Sequence, residues 1–391
     1  MNASMIRRRM IVPAVIAGMA LMITVWPAPP AARAGQKATA VRAKTVRVEL
    51  TVQEKQMKVL GVPVTAWTYN GTVPGPTQRV RVGDTLQMVL NNTHNLPHAI
   101  HTHFQGYSMS SDGSSMTAPL PIVPHQEDDM LGAVGGKVPG VAASPGPAVG
   151  QNPIGPYEPR HDSDTARPGE TRTYTFKMNA VGTYWYHCHV FEATDHIEKG
   201  LYGAIVVYPQ GWTWKELPAD PGYGNTKAWV TNAKGQKLFE DVVIISDRNP
   251  AEDSAVGLAA QGGALGGPIY LANHRAWNDP YVVGPVKSGQ KVLLHVGNIG
   301  ESAHSWHVHS HHFYRLWQSW KQSDGAPLWT RGSIDPVPFT PIAELMNNMD
   351  IGPGDLYPTL LTAGAPGVWF AHDHVVPSAY LGNVPWLRVE K

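Results

Sequence analysis

The chain runs through one plan twice. In the first half, Gly83-Asp84-Thr85-Leu86-Gln87-Met88-Val89-Leu90-Asn91 precedes His98-Ala99-Ile100-His101-Thr102-His103, and Gly182-Thr183-Tyr184-Trp185-Tyr186-His187-Cys188-His189 closes the unit. In the second, Gly289-Gln290-Lys291-Val292-Leu293-Leu294-His295-Val296-Gly297 precedes His304-Ser305-Trp306-His307-Val308-His309, and Gly367-Val368-Trp369-Phe370-Ala371-His372-Asp373-His374 closes it. The matching order points to duplication of one folding unit. That unit reads as strands: 45–51, 78–82, 85–91, 171–176, 184–189 and 204–208 are short, alternating or β-branched, and bounded by turn residues. No stretch carries a long amphipathic helix. The pattern predicts an all-β chain of two Greek-key antiparallel sandwiches, at 44–209 and 240–391 with 210–239 as linker. At roughly 100–200 residues per domain, the length suffices for both.

Charge narrows the partners. Lys plus Arg number 31 against 30 Asp plus Glu, and 16% of residues are charged, so no basic footprint for nucleic acid shows in the totals. The N-terminus places Arg7, Arg8 and Arg9 before an apolar run from Met10 to Trp26, then the small-residue site Ala32-Arg33-Ala34. This is a secretory leader pattern over 1–34, and the interruption at Pro13 favours a cleaved leader over a membrane anchor. The adjacent arginines also fit twin-arginine export, which carries proteins out already folded around their cofactor. A periplasmic or secreted protein is expected, with no membrane span after cleavage. The first copy is longer than the second, and its surplus falls in the Gly/Pro/Ser-rich stretch 107–168, which reads either as a cover over one end of domain 1 or as a disordered insertion.

A single Cys among 18 His excludes an internal disulfide, Cys-rich zinc modules and cysteine-ligated iron–sulfur clusters. Four His-x-His elements stand at His101/His103, His187/His189, His307/His309 and His372/His374. On a strand, residues i and i+2 share a face, so each element presents two imidazoles side by side. Four such pairs, two per repeat, point to metal, and imidazole suits copper. Cys188 lies between His187 and His189, so its sulfur faces the other way and implies a second site. His98 and His196 are its expected partners, in the two-His, one-thiolate arrangement of blue-copper electron-transfer sites.

These residues resemble the multicopper oxidases over nearly the whole chain beyond the leader. Asn70-Gly71-Thr72-Val73-Pro74-Gly75-Pro76-Thr77, with Gly83-Asp84-Thr85 after it, is similar to the opening of that family's first domain. His98-x-x-His101-x-His103 and His304-x-x-His307-x-His309 resemble its His-x-x-His-x-His element, and His187-Cys188-His189 its His-Cys-His element. The resemblance implies cupredoxin-like sandwiches and about four coppers per chain: one type 1, one type 2 and two type 3. Carried over by position, His98, Cys188 and His196 would hold type 1. His101 and His307 would hold type 2, and His103, His187, His189, His309, His372 and His374 the type 3 pair. Such a site reduces O2 to water.

Departures from the pattern sharpen the expectation. Asp373 stands where a second Cys would be needed and no His follows His374, so domain 2 should lack a type 1 site although it keeps His304. This resembles the two-domain laccase-like oxidases with type 1 copper in domain 1, which implies a homotrimer whose trinuclear sites form between subunits. Leu201 falls where some relatives place an axial Met; facing copper it cannot donate, which raises the reduction potential, unless the long Cys188–His196 loop turns it away. Asp112, in Ser111-Asp112-Gly113, matches an acid that relatives keep near the trinuclear site and is the expected proton relay, the alternative being a local turn role. Glu192 and Asp195 are weaker candidates. His94, His125, His161, His274, His295, His311 and His312 are expected mostly at the surface or behind ligands. Met109, Met116 and Met130 read as Cu(I) contacts or as ordinary composition.

The expected activity is laccase-like: one-electron oxidation of a phenol or aromatic amine coupled to four-electron reduction of O2. A metal-ion oxidase acting on Cu(I), Fe(II) or Mn(II) is the nearest alternative, with Glu127, Asp128, Asp129 and the loop methionines to serve it. A copper nitrite reductase would need only one type 2 copper and leave His187/His189 and His372/His374 without purpose. A non-catalytic copper-binding protein would have no need of all four pairs.

Overall fold

In a computed structural model describing residues 43–114, 164–190, 193–249, 268–316 and 343–391, alternation along the strands decides the layers. The expected leader 1–34 and most of the 107–168 stretch lie outside the described residues, with His125, His161, Met116, Met130, Glu127, Asp128, Asp129 and Glu192. The first half supplies β1 (Thr45–Val59), β2 (Val62–Tyr69), β3 (Gln78–Arg81), β4 (Thr85–Asn92), β5 (His101–Thr102), β6 (Thr171–Lys177), β7 (Gly182–His187) and β8 (Tyr202–Tyr208), with α1 (Ala193–Lys199) between β7 and β8. On β6 the residues Tyr174 and Phe176 turn inward while Thr173, Thr175 and Lys177 stay exposed, the period of two that a half-buried strand imposes. The sheet β2-β1-β4-β6 packs on β3-β8-β7-β5 around Leu86, Met88, Leu90, Tyr174, Phe176 and Ile205.

The second half supplies β9 (Thr213–Glu216), β10 (Ala228–Thr231), β11 (Lys237–Arg248), β12 (Ile269–Ala272), β13 (Val282–Lys287), β14 (Lys291–Asn298), β15 (His304–Val308), β16 (Phe313–Leu316), β17 (Ala343–Met346), β18 (Asn348–Ile351), β19 (Leu356–Thr362), β20 (Gly367–Asp373) and β21 (Trp386–Glu390), with α2 (Val376–Tyr380) after β20. Its pairing repeats the first half: β1 runs parallel to β4 as β11 does to β14, and β5 pairs antiparallel with β7 as β15 does with β20. With 54% strand and 6% helix among the described residues, the chain is all-β and of the cupredoxin-like sandwich type. No described helix is long and apolar enough to cross a membrane.

The stretch 210–239 does more than connect. It holds β9 and β10 and the start of β11, and β9-β10-β11 extends the larger sheet of the second half. Aromatic packing is the reason, since Trp212 and Trp214 stack on Tyr208 with ring centroids 6.0 and 5.0 Å away. Every residue of β8 is buried because both its faces are covered. One face meets the first core, and the other joins Val242, Ile244, Leu293 and Leu356 of the second half.

Buried polar groups cross the same seam. Arg79 Nε donates to Glu240 Oε1 at 2.9 Å, and its remaining nitrogens donate to the carbonyls of Asn225 and Thr226. Burial works to raise the pKa of Glu240, but the Arg79 guanidinium outweighs it and holds the carboxyl down at about 2.

Candidate metal centre

The thiol site is assembled from three elements. Cys188 follows β7, His98 precedes β5, and His196 sits on α1. Cys188 Sγ lies 3.1 Å from His196 Nδ1 and 3.6 Å from His98 Nδ1, and all three side chains are buried. Backbone bonds fix this geometry: Cys188 N donates to Leu201 O, Leu201 N donates to His196 O, and Ala99 N donates to the Cys188 sulfur. Burial pushes the thiol up to about 11 and His196 down to about 4. All three are therefore neutral at pH 7, and a bound cation would displace the thiol proton. Leu201 is fully buried in the same apolar cluster as Cys188 and offers no donor atom.

The four His-x-His elements gather as two sets. In the first, the His101 ring lies 5.6 Å from His103, 5.4 Å from His187 and 4.9 Å from His189. In the second, His307 lies 5.3 Å from His309, 5.7 Å from His372 and 5.4 Å from His374. Register produces both, His101 facing His187 and His307 facing His372 across their strand pairs. The expectation that each pair lies along a strand needs correcting, because β5, β7, β15 and β20 end before the second His of each pair. The two rings stay adjacent nonetheless.

Backbone carbonyls set the tautomers. His101 Nδ1 donates to Asp112 O at 2.7 Å, His187 Nδ1 to Cys188 O at 2.9 Å, His307 Nδ1 to Asn347 O at 2.6 Å and His372 Nδ1 to Asp373 O at 2.8 Å. With the proton on Nδ1, each Nε2 turns a lone pair into its set. His187 Nε2 consequently lies 3.3 Å from His103 Nε2, and His309 Nε2 lies 3.0 Å from His372 Nε2. Two lone pairs at that distance repel unless a proton or a metal lies between them. A soft thiolate with two imidazoles, and imidazole sets with converging lone pairs, fit copper.

Two family models, each described as multicopper oxidase, match residues 51–130 with 159–211 and residues 248–383. This chain belongs to the multicopper oxidase family.

Among relatives of this multicopper oxidase, a copper-containing nitrite reductase of Neisseria meningitidis is 31% identical over 268 residues, 67% of this chain and 53% of its own length. The multicopper oxidase MmcO of Mycobacterium tuberculosis is 25% identical over 275 residues, 65% of this chain and 43% of the relative. The chain thus spans about half the length of these curated relatives. Two solved structures share the fold. The blue copper oxidase of Nitrosomonas europaea has a TM-score of 0.56 at 22% identity, with 88% of this chain and 86% of that one covered. The copper nitrite reductase of the same organism has 0.56 at 19%, with 89% and 94% covered.

In this multicopper oxidase the second half replaces the thiol site with an ion pair. His304 Nδ1 lies 2.5 Å from Asp373 Oδ2, and its Nε2 lies 3.5 Å from Asp247 Oδ1, all buried. Burial opposes charge on His304, yet the nearby Asp247 carboxyl group and the hydrogen-bonded Asp373 raise its pKa above the usual value. Asp373 also accepts from the backbone of Ser305 and Val375. Asp373→Ala takes away the carboxyl group that His304 Nδ1 bonds and leaves that buried nitrogen unsatisfied, and the metal-free protein is expected to lose about 1–3 kcal/mol, read as a lowered urea midpoint.

Asp112 touches the first set through its carbonyl, while its carboxylate accepts from the Tyr107 hydroxyl at 3.0 Å and lies 3.6 Å from His101 Nδ1. Glycine is required beside it: Gly113 has φ +69 and packs so closely on Ile100 O that no side chain fits. Both described ends of the 107–168 stretch are tied to the site, Ser114 bridging His189 and Ala166 bridging His98. Asp195 lies in the first turn of α1.

Of the histidines expected at the surface or behind ligands, four of those described are buried. His274 and His295 are enclosed, and His295 Nδ1 bonds the Thr183 hydroxyl across the seam. His311 accepts from Gly364 N and faces His309 O, and His94 stands behind His98. Sequence reading missed Asp247, which no local motif marks, and Glu54, which lies 40 positions before its partner His94.

Proposed function

We propose that the chain is a laccase-like oxidase that takes electrons singly from a phenolic or aromatic amine reductant at the His98–Cys188–His196 site and delivers them to the imidazole sets, where O2 is reduced to water. One observation carries this reading: Cys188 places its sulfur in one site while its neighbours His187 and His189 belong to the other. Copper, when bound, supplies the one-electron chemistry and the affinity for dioxygen. The chain's residues do the rest. Buried His98 and His196 would hold the copper with Cys188, and Leu201, buried in the same apolar cluster as Cys188, would offer it no donor atom, which would favour a high potential. Nδ1–H bonds to carbonyls aim the Nε2 atoms. The Asp112 carboxylate, anchored by Tyr107, is assigned to hold and pass protons at Oδ2.

Each imidazole set is half of a trinuclear site, completed by a second copy in a homotrimer of about four coppers per chain. Support comes from the second set, where His309 and His374 are exposed beside the exposed apolar side chains Val368, Phe370, Val375 and Val376. The leader pattern supports export to the periplasm or beyond.

Nitrite reduction, the activity in the names of two relatives, is the competing reading. It needs a single type 2 copper and gives no reason for four imidazoles in each set. O2 uptake with a phenol, Cu(I), Fe(II) or Mn(II) as reductant decides the substrate. Phenol-driven uptake is expected; uptake with a metal ion alone reassigns the reductant, and nitrite turnover without O2 uptake overturns the oxidase.

A further inference from the structure

We propose that His94 and Glu54 form a hydrogen-bonded relay that tunes the thiol-site copper from behind His98, a positioning role that rests on the type 1 reading above. His98 points Nδ1 at the Cys188 sulfur and Nε2 away from it, and that Nε2 lies 2.8 Å from His94 Nδ1. His94 Nε2 in turn lies 3.2 Å from Glu54 Oε1. Proton bookkeeping leaves one arrangement. When Nδ1 of His98 gives its lone pair to a metal, its Nε2 must carry the proton and donate to His94 Nδ1. His94 then holds its own proton on Nε2 and donates it to the Glu54 carboxylate, which only accepts.

The fold builds the relay deliberately. In the β1–β2 pairing Glu54 stands opposite Trp67, so carboxylate and indole lie side by side. The Trp67 ring packs 4.7 Å from His94, 5.7 Å from His98 and 5.1 Å from His196. His94 N donates to Asn92 Oδ1, and Thr93 donates through both its amide and its hydroxyl to Val52 O, pinning the turn against β1. The chain of groups runs from fully buried His98 through His94 to Glu54, whose side chain is 56% exposed. His196 has no such backing, since its buried Nε2 finds no partner among the described residues.

A carboxylate acting through a ring N–H makes an imidazole a stronger donor. The relay therefore favours Cu(II) and lowers the potential, opposing the effect of a donor-free Leu201. It also closes the outer edge of His98 to a reductant.

The test is the potential of the blue site, followed through its absorbance, in the full-length copper-loaded protein. Glu54→Gln is expected to shift the Cu(II)/Cu(I) equilibrium about tenfold toward Cu(I), about 59 mV upward for one electron. The shift should persist in about 1 M salt, where an exposed charge acting through solvent is screened, and vanish in a His94→Leu background. An unmoved potential, a shift abolished by salt, or an equal shift without His94 overturns the relay. A parent chain that takes up copper without a blue band removes the type 1 reading and the relay with it, whereas a blue parent with an unmoved potential removes the relay alone.

Discussion

Cys188→Ser is expected to abolish the blue absorbance and reduce reductant oxidation at least about a hundredfold, since even residues that only support a ligand cost about 10–100-fold. The Cys188 sulfur is the one thiol in the chain, and both of its imidazole partners are buried beside it. A serine hydroxyl keeps the volume but cannot supply the thiolate that gives the intense colour and the electronic link to the flanking histidines. The imidazole sets should survive, because His187 and His101 are held by backbone register and carbonyl bonds that do not involve the sulfur. Copper content should accordingly fall by about one per chain rather than collapse. Persistence of the blue band in this variant refutes the thiol-site assignment.

The second large effect is expected at the exposed face of the second half. Phe370 and Val376 are 46% and 47% exposed and flank His372 and His374 on β20 and α2. If a second copy covers this face, Phe370→Asp combined with Val376→Asp places two charges in an apolar contact that must exclude water. Light scattering should then show a monomer in place of the proposed trimer. Copper should drop from about four to about one per chain, with the blue band retained and O2 uptake lost. A double variant that is monomeric yet keeps its full copper content contradicts the shared-site arrangement.

Much of this was legible because the chemistry is written locally. Paired imidazoles two residues apart, and a Cys between two of them, mark the candidate ligands before any fold is known, and the structure brings them together. The sandwich was legible through β6 and β4, whose alternation is a local property. What escaped depends on contacts distant in sequence. Glu54 reaches His94 only because β1 packs beside the turn that follows β4. Asp247 reaches His304 from the end of β11. The absence of a Cys at Asp373 was visible, but its conversion into a buried ion-pair partner needed the fold. The stretch 210–239 read as a linker because its strands are short; they are stable through Trp212 and Trp214 stacked on Tyr208, a contact that periodicity does not reveal.

Copper analysis of the purified protein, with its visible spectrum and phenol-driven O2 uptake recorded on the same sample, tests the central claim most directly. The account predicts a blue protein with about four coppers per chain that consumes O2. About two coppers per chain with nitrite turnover and no O2 uptake would contradict it.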